Sequence, residues 1–210
     1  MEASERILGA EDLLTLTIAN NLGECLRGQG AAAEAVLVLR RALEGREKVL
    51  GSEHPETLDS VNDLANCFRA LGDLASALPL YRRAVRTSER VRGPEHIHTL
   101  TSLHNLAGCI HAMGDATGAL PLYQRTLEAQ ERVLGRDHPY TLFSVHGLGR
   151  CFQTLGDASS ALPLLRHAAG ELERRLGPDH PFSQRSRTSL DSLERELATG
   201  SAEPPDPLPR

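Results

Sequence analysis

The sequence predicts an all-α chain, a solenoid of about four and a half stacked helical hairpins, and three observations carry that prediction. First, a spacing of 42 residues runs through it. Gly9, Gly51, Gly93, Gly135 and Gly177 keep it, as do Cys25, Cys67, Cys109 and Cys151, and residues 51–92 match 135–176 at 22 of 42 positions without a gap. A fixed period of this length marks a repeat array in which each unit buries its apolar face on its neighbours. Second, the apolar residues within a unit recur at helical spacing and do not alternate. Third, the 210 residues include no Trp, three Tyr and four Phe, so the core must be built from Leu, Ala and Val, which suit closely packed helices.

Taken in order, residues 1–8 read as the remnant of a preceding second helix or as an N-terminal cap, because Arg6-Ile7-Leu8-Gly9 matches Lys48-Val49-Leu50-Gly51. Units 9–50, 51–92, 93–134 and 135–176 follow. In the second unit Val61, Leu64, Ala65, Phe68 and Leu71 form one stripe of a first helix. Gly72 ends it, and Asp73 is placed to cap the next helix through its carboxylate. Leu74, Ala77, Leu78, Tyr81, Ala84 and Val85 make the stripe of the second helix, which closes at Gly93. Pro55, Pro139 and Pro181 suit the first turn of a helix, where no N–H is required. Pro79, Pro121 and Pro163 fall inside second helices and predict a bend there, not a break; Leu37 holds that place in the first unit. Residues 177–199 read as a capping helix. Arg187, Asp191 and Glu194 replace the apolar Val61, Ala65 and Phe68, as a face that meets water requires. Residues 200–210 hold four prolines and are expected to be a disordered tail.

The net charge of −5 opposes a nucleic-acid or anionic-membrane partner, since either needs a basic surface. No apolar run approaches the ~18 residues of a membrane span, and the N-terminus lacks the basic-then-apolar order of a signal peptide. A cytoplasmic protein is the expectation. The four cysteines fall on successive first helices, too far apart for the ~7 Å that a disulfide allows, and are expected to be reduced and buried. His54, His96, His138 and His180 are likewise separated by at least a helix-packing distance of ~8–10 Å, against ~2 Å for each ligand of zinc. Their expected role is a hydrogen bond that fixes the loop between hairpins; no metal or cofactor is expected. Phosphate-binding loops, nucleophile elbows, His-Glu-x-x-His and Cys-x-x-Cys are absent from the sequence, and polar residues vary between units while the apolar frame repeats. The expectation is that the chain is not an enzyme.

Leu64-Ala65 in the first helix, Gly72-Asp73 at the turn and Ala77-Leu78-x-Leu80-Tyr81 beyond it resemble the tetratricopeptide repeat. The 42-residue length and the linkers 51–58 and 135–142, each with His-Pro and Thr-Leu, are similar to the kinesin-light-chain subtype, over roughly residues 5–199. The resemblance implies a right-handed superhelix whose first helices line a concave groove for an extended peptide. The heptad coiled coil that joins kinesin light chains to their motor does not precede Gly9, so motor association is not carried over.

Opposite the core stripe, each first helix carries a second series at i, i+4 and i+7, hence on one surface. It reads Asn20, Glu24 and Arg27; Asn62, Asn66 and Arg69; His104, Gly108 and His111; His146, Arg150 and Gln153. By the resemblance this surface faces the groove. Asn62 and Asn66 are the candidates to grip peptide backbone, offering donor and acceptor together, while Arg27, Arg69 and Arg150 are suited to carboxylates. Three Arg and three His against the single Glu24 predict a preference for an acidic segment, strengthened below about pH 6.5 as the histidines protonate. The Arg82, Arg83, Arg86 and Arg90 series on a second helix, and Glu128, Glu131 and Arg132 on the next, read as solvated, ion-paired surface. The expected function is a protein-interaction scaffold that binds a short acidic segment of another protein. The alternative is a sensor or regulatory repeat fragment of a larger signalling ATPase or motor adaptor. A monomer or weak self-association is expected, the latter because Ala31–Ala33 and Val36–Leu39 are unusually apolar.

Overall fold

The computed structural model describes residues 6–200, and their regular structure is helical throughout. Arg6–Leu8 are helical; the expected tail lies, apart from Gly200, outside the described residues. The chain divides into two units, Met1–Asp115 and Ala116–Arg210. The first holds α1 (Leu13–Gly28), α2 (Ala32–Leu50), α3 (Pro55–Ala70), α4 (Leu74–Val91) and α5 (Ile97–Ala112). The second holds α6 (Ala116–Val133), α7 (Pro139–Thr154), α8 (Ala158–Leu176) and α9 (Pro181–Gly200).

Within each unit a helix packs on the one that follows it, and first helices also touch one another, α1 on α3 and α3 on α5 in the first unit, α7 on α9 in the second. The turn between α3 and α4 shows why the chain reverses there. Gly72 takes φ +78°, open to a residue without a Cβ. Its N–H bonds to Arg69 O (3.1 Å) and that of Asp73 to Phe68 O (2.9 Å), the paired closure of a Schellman motif. Asp73 then accepts from Ser76 N at 3.0 Å, and Asp157 does the same for Ser160 N. At the other end of the hairpin, imidazoles act as N-caps. Nδ1 of His54, His96, His138 and His180 each accepts from the backbone N–H two residues on, all at 3.2 Å. Helices α4, α6 and α8 run on through Pro79, Pro121 and Pro163.

Small side chains set the helix spacing. Ala35, Ala42, Ala77 and Ala84 are fully buried in the first unit, as are Ala161 and Ala168 in the second. A methyl added at Gly23 would stand 2.4 Å from Leu39 Cγ, and one at Gly147 would stand 2.5 Å from Tyr123 Cε1. A large residue on one helix thus fills the space a glycine leaves on another. At one register position the core chemistry changes: Arg46, Ser88, Gln130 and Leu172 are all buried. The Arg46 guanidinium donates to Ser60 Oγ (2.7 Å), Glu56 O (3.1 Å) and Thr17 Oγ1 (3.1 Å), and pairs with the Glu56 carboxylate at 3.2 Å. A buried charge is tolerated only when bonded in this way.

All four cysteines are free thiols, and Cys67, Cys109 and Cys151 are buried. Cys25 corrects the expectation that all four are core residues, for it is exposed. Among the described residues the helices packed on α1 are α2 and α3, whereas α3, α5 and α7 each also pack on the second helix of the hairpin before their own.

Candidate functional site

The predicted surface in the first unit is formed by α1, α3 and α5, and much of its polar chemistry is used between the helices. Asn20 is 7% exposed. Its Nδ2 donates to Asp63 Oδ2 at 2.9 Å, and its Oδ1 accepts from Ser60 Oγ at 2.7 Å, so a hydrogen-bonded chain runs from Arg46 through Ser60 and Asn20 to Asp63. Asn62 Oδ1 accepts from Asn105 Nδ2 at 3.4 Å. The buried hydroxyl of Tyr81 on α4 donates to Asn66 Oδ1 at 2.7 Å and accepts from Arg69 Nε at 3.3 Å, both partners being on α3. The carbonyl oxygens of Asn62 and Asn66 each therefore accept one internal bond. Their NH₂ groups remain, so each residue keeps its donors while one acceptor site of its oxygen is used between helices.

Charge on this surface is mixed. Arg27 lies 3.9 Å from Glu24, and its Nε is buried without a hydrogen bond. His104 and His111 are half-buried on α5. Asp63 adds a carboxyl that the i, i+4, i+7 series left out; burial and then the Glu24 charge push it up to about 7, against the opposing Asn20 amide. Burial likewise raises the Tyr81 hydroxyl to about 12, with Arg69 acting the other way. Tyr81 is therefore a neutral donor throughout the physiological range.

In the second unit α7 and α9 carry the corresponding face. His146 is 6% exposed, stacked 5.4 Å from Phe143, and its Nε2 lies 2.9 Å from Ser189 Oγ. Gln153 Nε2 donates to both oxygens of Glu196, at 3.0 and 3.1 Å. Arg150 is exposed and, among the described residues, has no ion pair. Arg150 and Gln153 form one wall of a cavity of about 510 Å³, with Ser192 and Glu196 on the other. Glu196 is the second carboxylate absent from the series. No group of three or more His, Cys, Asp or Glu among the described residues is placed to hold a metal. No helix there is long and apolar enough to cross a membrane.

Profiles described as tetratricopeptide repeat match residues 15–56, 38–90, 60–115 and 98–170. The chain belongs to the tetratricopeptide repeat family. No curated protein matches the sequence. Among solved structures, a Podosopora anserina protein described as a kinesin light chain with nearly identical TPR-like repeats is 28% identical, with TM-score 0.71 over 90% of this chain and 89% of that one. BtubC (BKLC) from P. vanneervenii is similar at 19% identity and TM-score 0.63, covering 95% of this chain and 70% of its own. A Rap protein complexed with competence and sporulation factor is similar at 15% identity and TM-score 0.76, over 89% and 50% of the two chains. The last two show the fold alone. The repeats are of the kinesin-light-chain-like subtype, and the architecture is the all-α solenoid of tetratricopeptide type, a protein-interaction scaffold fold.

Sequence reasoning missed four residues of this tetratricopeptide surface: Asp63, Asn105, Ser189 and Glu196. Each lies 43 residues beyond its partner, at Asn20, Asn62, His146 and Gln153. The available signal was the unit period plus one. Neighbouring first helices are offset so that a side chain meets the residue just C-terminal to its own repeat equivalent.

Proposed function

We propose that the chain is a non-enzymatic scaffold whose first-helix surface takes a short acidic segment of another protein. The supporting observation is the donor bias left after internal bonding. Asn62 and Asn66 each have an oxygen already accepting one internal bond and their NH₂ groups remaining, and Arg69 is held at Nε by Tyr81. Such a surface favours carbonyl and carboxylate oxygens, and a guanidinium already positioned loses less freedom on binding. In the second unit Arg150 plays the same part beside its cavity, while Glu196 restricts which acidic side chains fit. Arg27, Asn62, Asn66, Arg69, His104 and His111 are assigned to the surface of the first unit, and Arg150 with Gln153 to that of the second. Asn20 and His146 act beneath the surface, joining helices.

The test is fluorescence anisotropy against a panel of extended peptides that differ in acidic content, at two salt concentrations. Arg69→Glu and Arg150→Glu each weaken binding of acidic peptides by tenfold or more, about 1.4 kcal/mol, and leave neutral peptides unaffected. Unchanged affinity for every acidic peptide in the double charge reversal defeats the proposal.

A further inference from the structure

Two opposite charges share the cavity of the second unit and do not pair with each other. Arg150 lines it from α7 and Glu196 from α9, and among the described residues neither has an ion pair. The Glu196 carboxylate is nevertheless fixed in place. Gln153 Nε2 donates to its two oxygens at 3.0 and 3.1 Å, and Ser192 Oγ donates to Oε1 at 3.0 Å. All three bonds come from neutral groups, which orient a carboxylate and leave its charge uncompensated. Other carboxylates of this unit meet a cation: Glu171 pairs with Arg174, Glu173 with Arg187 and Glu194 with Arg166.

The 42-residue period shows that this arrangement is peculiar to one place. The equivalents of Gln153 are Arg27, Arg69, His111 and Arg195, so the other copies of that position carry a basic side chain. The equivalents of Glu196 are Gly28, Ala70, Ala112 and Thr154, all uncharged. A basic side chain at 153 would neutralise Glu196 where the amide now only holds it. A position that is basic elsewhere has thus become the support of an anion beside Arg150.

The chemistry of the occupant follows. A run of acidic side chains would set like charge against Glu196, and a single acid on Arg150 would leave Glu196 unpaired. A segment that carries one acid and one base complements both, and a carboxylate already held by three bonds loses little freedom on pairing. In an extended segment, side chains two residues apart project to the same side, ~6.5–7 Å from each other. That separation is close to the ~8–10 Å between packed helix axes, so two such side chains reach α7 and α9 together. The cavity of about 510 Å³ is large enough to admit both.

We propose that the surface of the second unit selects a mixed-charge segment, with an acidic and a basic side chain two residues apart, the acid meeting Arg150 and the base meeting Glu196. This rests on the reading of Arg150 as the group that takes an acidic side chain, and adds to it the group that Glu196 takes.

Fluorescence anisotropy of the full chain at low salt compares two extended peptides that differ at one position: one carries Glu and, two residues on, Lys; the other carries Glu and Gln. The ratio of their affinities is measured in wild type and in Glu196→Gln, which keeps an oxygen for Gln153 and Ser192 and whose fold is checked by circular dichroism. The ratio falls in the variant by about three- to fivefold against the Lys peptide, the upper range for an exposed charge pair, while the affinity of the Gln peptide is unchanged. A ratio that Glu196→Gln does not alter overturns the inference. If Arg150→Glu still weakens both peptides in that case, the acidic-segment reading stands and only the role of Glu196 is lost. If neither peptide binds, or Arg150→Glu affects neither, both readings are overturned.

Discussion

Replacing Asp63 with asparagine is expected to stabilise the protein at pH 8 and to leave it unchanged at pH 4. Burial and the neighbouring Glu24 raise this carboxyl from 3.8 to about 7. The folded state therefore binds a proton more tightly than the unfolded chain does. Stability from this group is complete below the unfolded value and is lost as pH rises through about 7, where the folded carboxyl must ionise. The rise from 3.8 to about 7 sets a ceiling of about 4 kcal/mol at alkaline pH. Asp63 is only half-buried, and the charge is shared with Glu24, so solvent relaxation reduces the gain to about 1–2 kcal/mol. Asparagine keeps an oxygen to accept from Asn20 Nδ2, and Asn105, the repeat equivalent of Asp63, is an asparagine that also bonds to the neighbouring first helix, there as donor to Asn62 Oδ1.

Urea denaturation of wild type and Asp63→Asn at pH 4, 6 and 8 measures this directly. The stability difference should grow steadily with pH, and the melting temperature at pH 8 should rise by about 3–6 °C for a chain of this size. A difference that is the same at all three pH values, or a loss of stability at pH 8, refutes the claim that ionised Asp63 strains the α1–α3 contact.

Arg46→Ala, which removes the guanidinium that joins α2 to α1 and α3, should cost about 3–5 kcal/mol. Arg46→Leu should stay within about 1 kcal/mol of wild type, because Leu172 fills the equivalent position and Ser60 keeps its bond to Asn20; equal losses in the two variants by urea denaturation would contradict this. Gly147→Ala should destabilise by about 1–3 kcal/mol, its methyl driven onto the Tyr123 ring. Gly170→Ala, in the interior of α8 with open space around it, should stabilise by about 0.5–1 kcal/mol, and thermal melts with the opposite order would refute that packing. Burial, then the charges of Arg92 and His98, lower the His96 imidazole below 6.5. Its cap requires a neutral Nδ1, so its contribution is present above pH 6.5 and is lost as pH falls through the lowered value. His96→Asn, which keeps a capping oxygen, should flatten the stability profile between pH 7 and 5, and an unaltered profile would show that this cap does not titrate.

What the sequence revealed follows from what its period encodes. Helix starts and stops were legible because their causes are local: Gly72 and Asp73 act within four residues of their own position, and the histidine caps reach two residues on. The core stripes were legible because periodicity reports which face is buried. The use of the polar face was not, since whether Asn20 meets a ligand or Asp63 depends on the offset between α1 and α3, which no single unit records. Tyr81 was read as core from its spacing, and its ring is buried, yet its hydroxyl organises Asn66 and Arg69. Cys25 was misplaced by applying the environment of the inner repeats to the first described hairpin, where the thiol is exposed.

That misplacement separates two meanings of a polar or apolar residue in a repeat array. Asn20, Asn62, His146 and Gln153 vary from unit to unit, the pattern expected of a surface that reads a partner, yet each spends hydrogen bonds on its neighbouring helix. Variation alone therefore does not identify binding residues here. The donors remaining after the helices have satisfied one another are the better guide, and they are concentrated on Asn62, Asn66, Arg69 and Arg150. The same comparison applied to apolar residues singles out Leu22, 36% exposed where its repeat equivalents Leu64, Leu106 and Leu148 are buried. Internal repetition thus turns each unit into a reference for the others, and function is sought where a position departs from its equivalents after neighbour contacts are taken away.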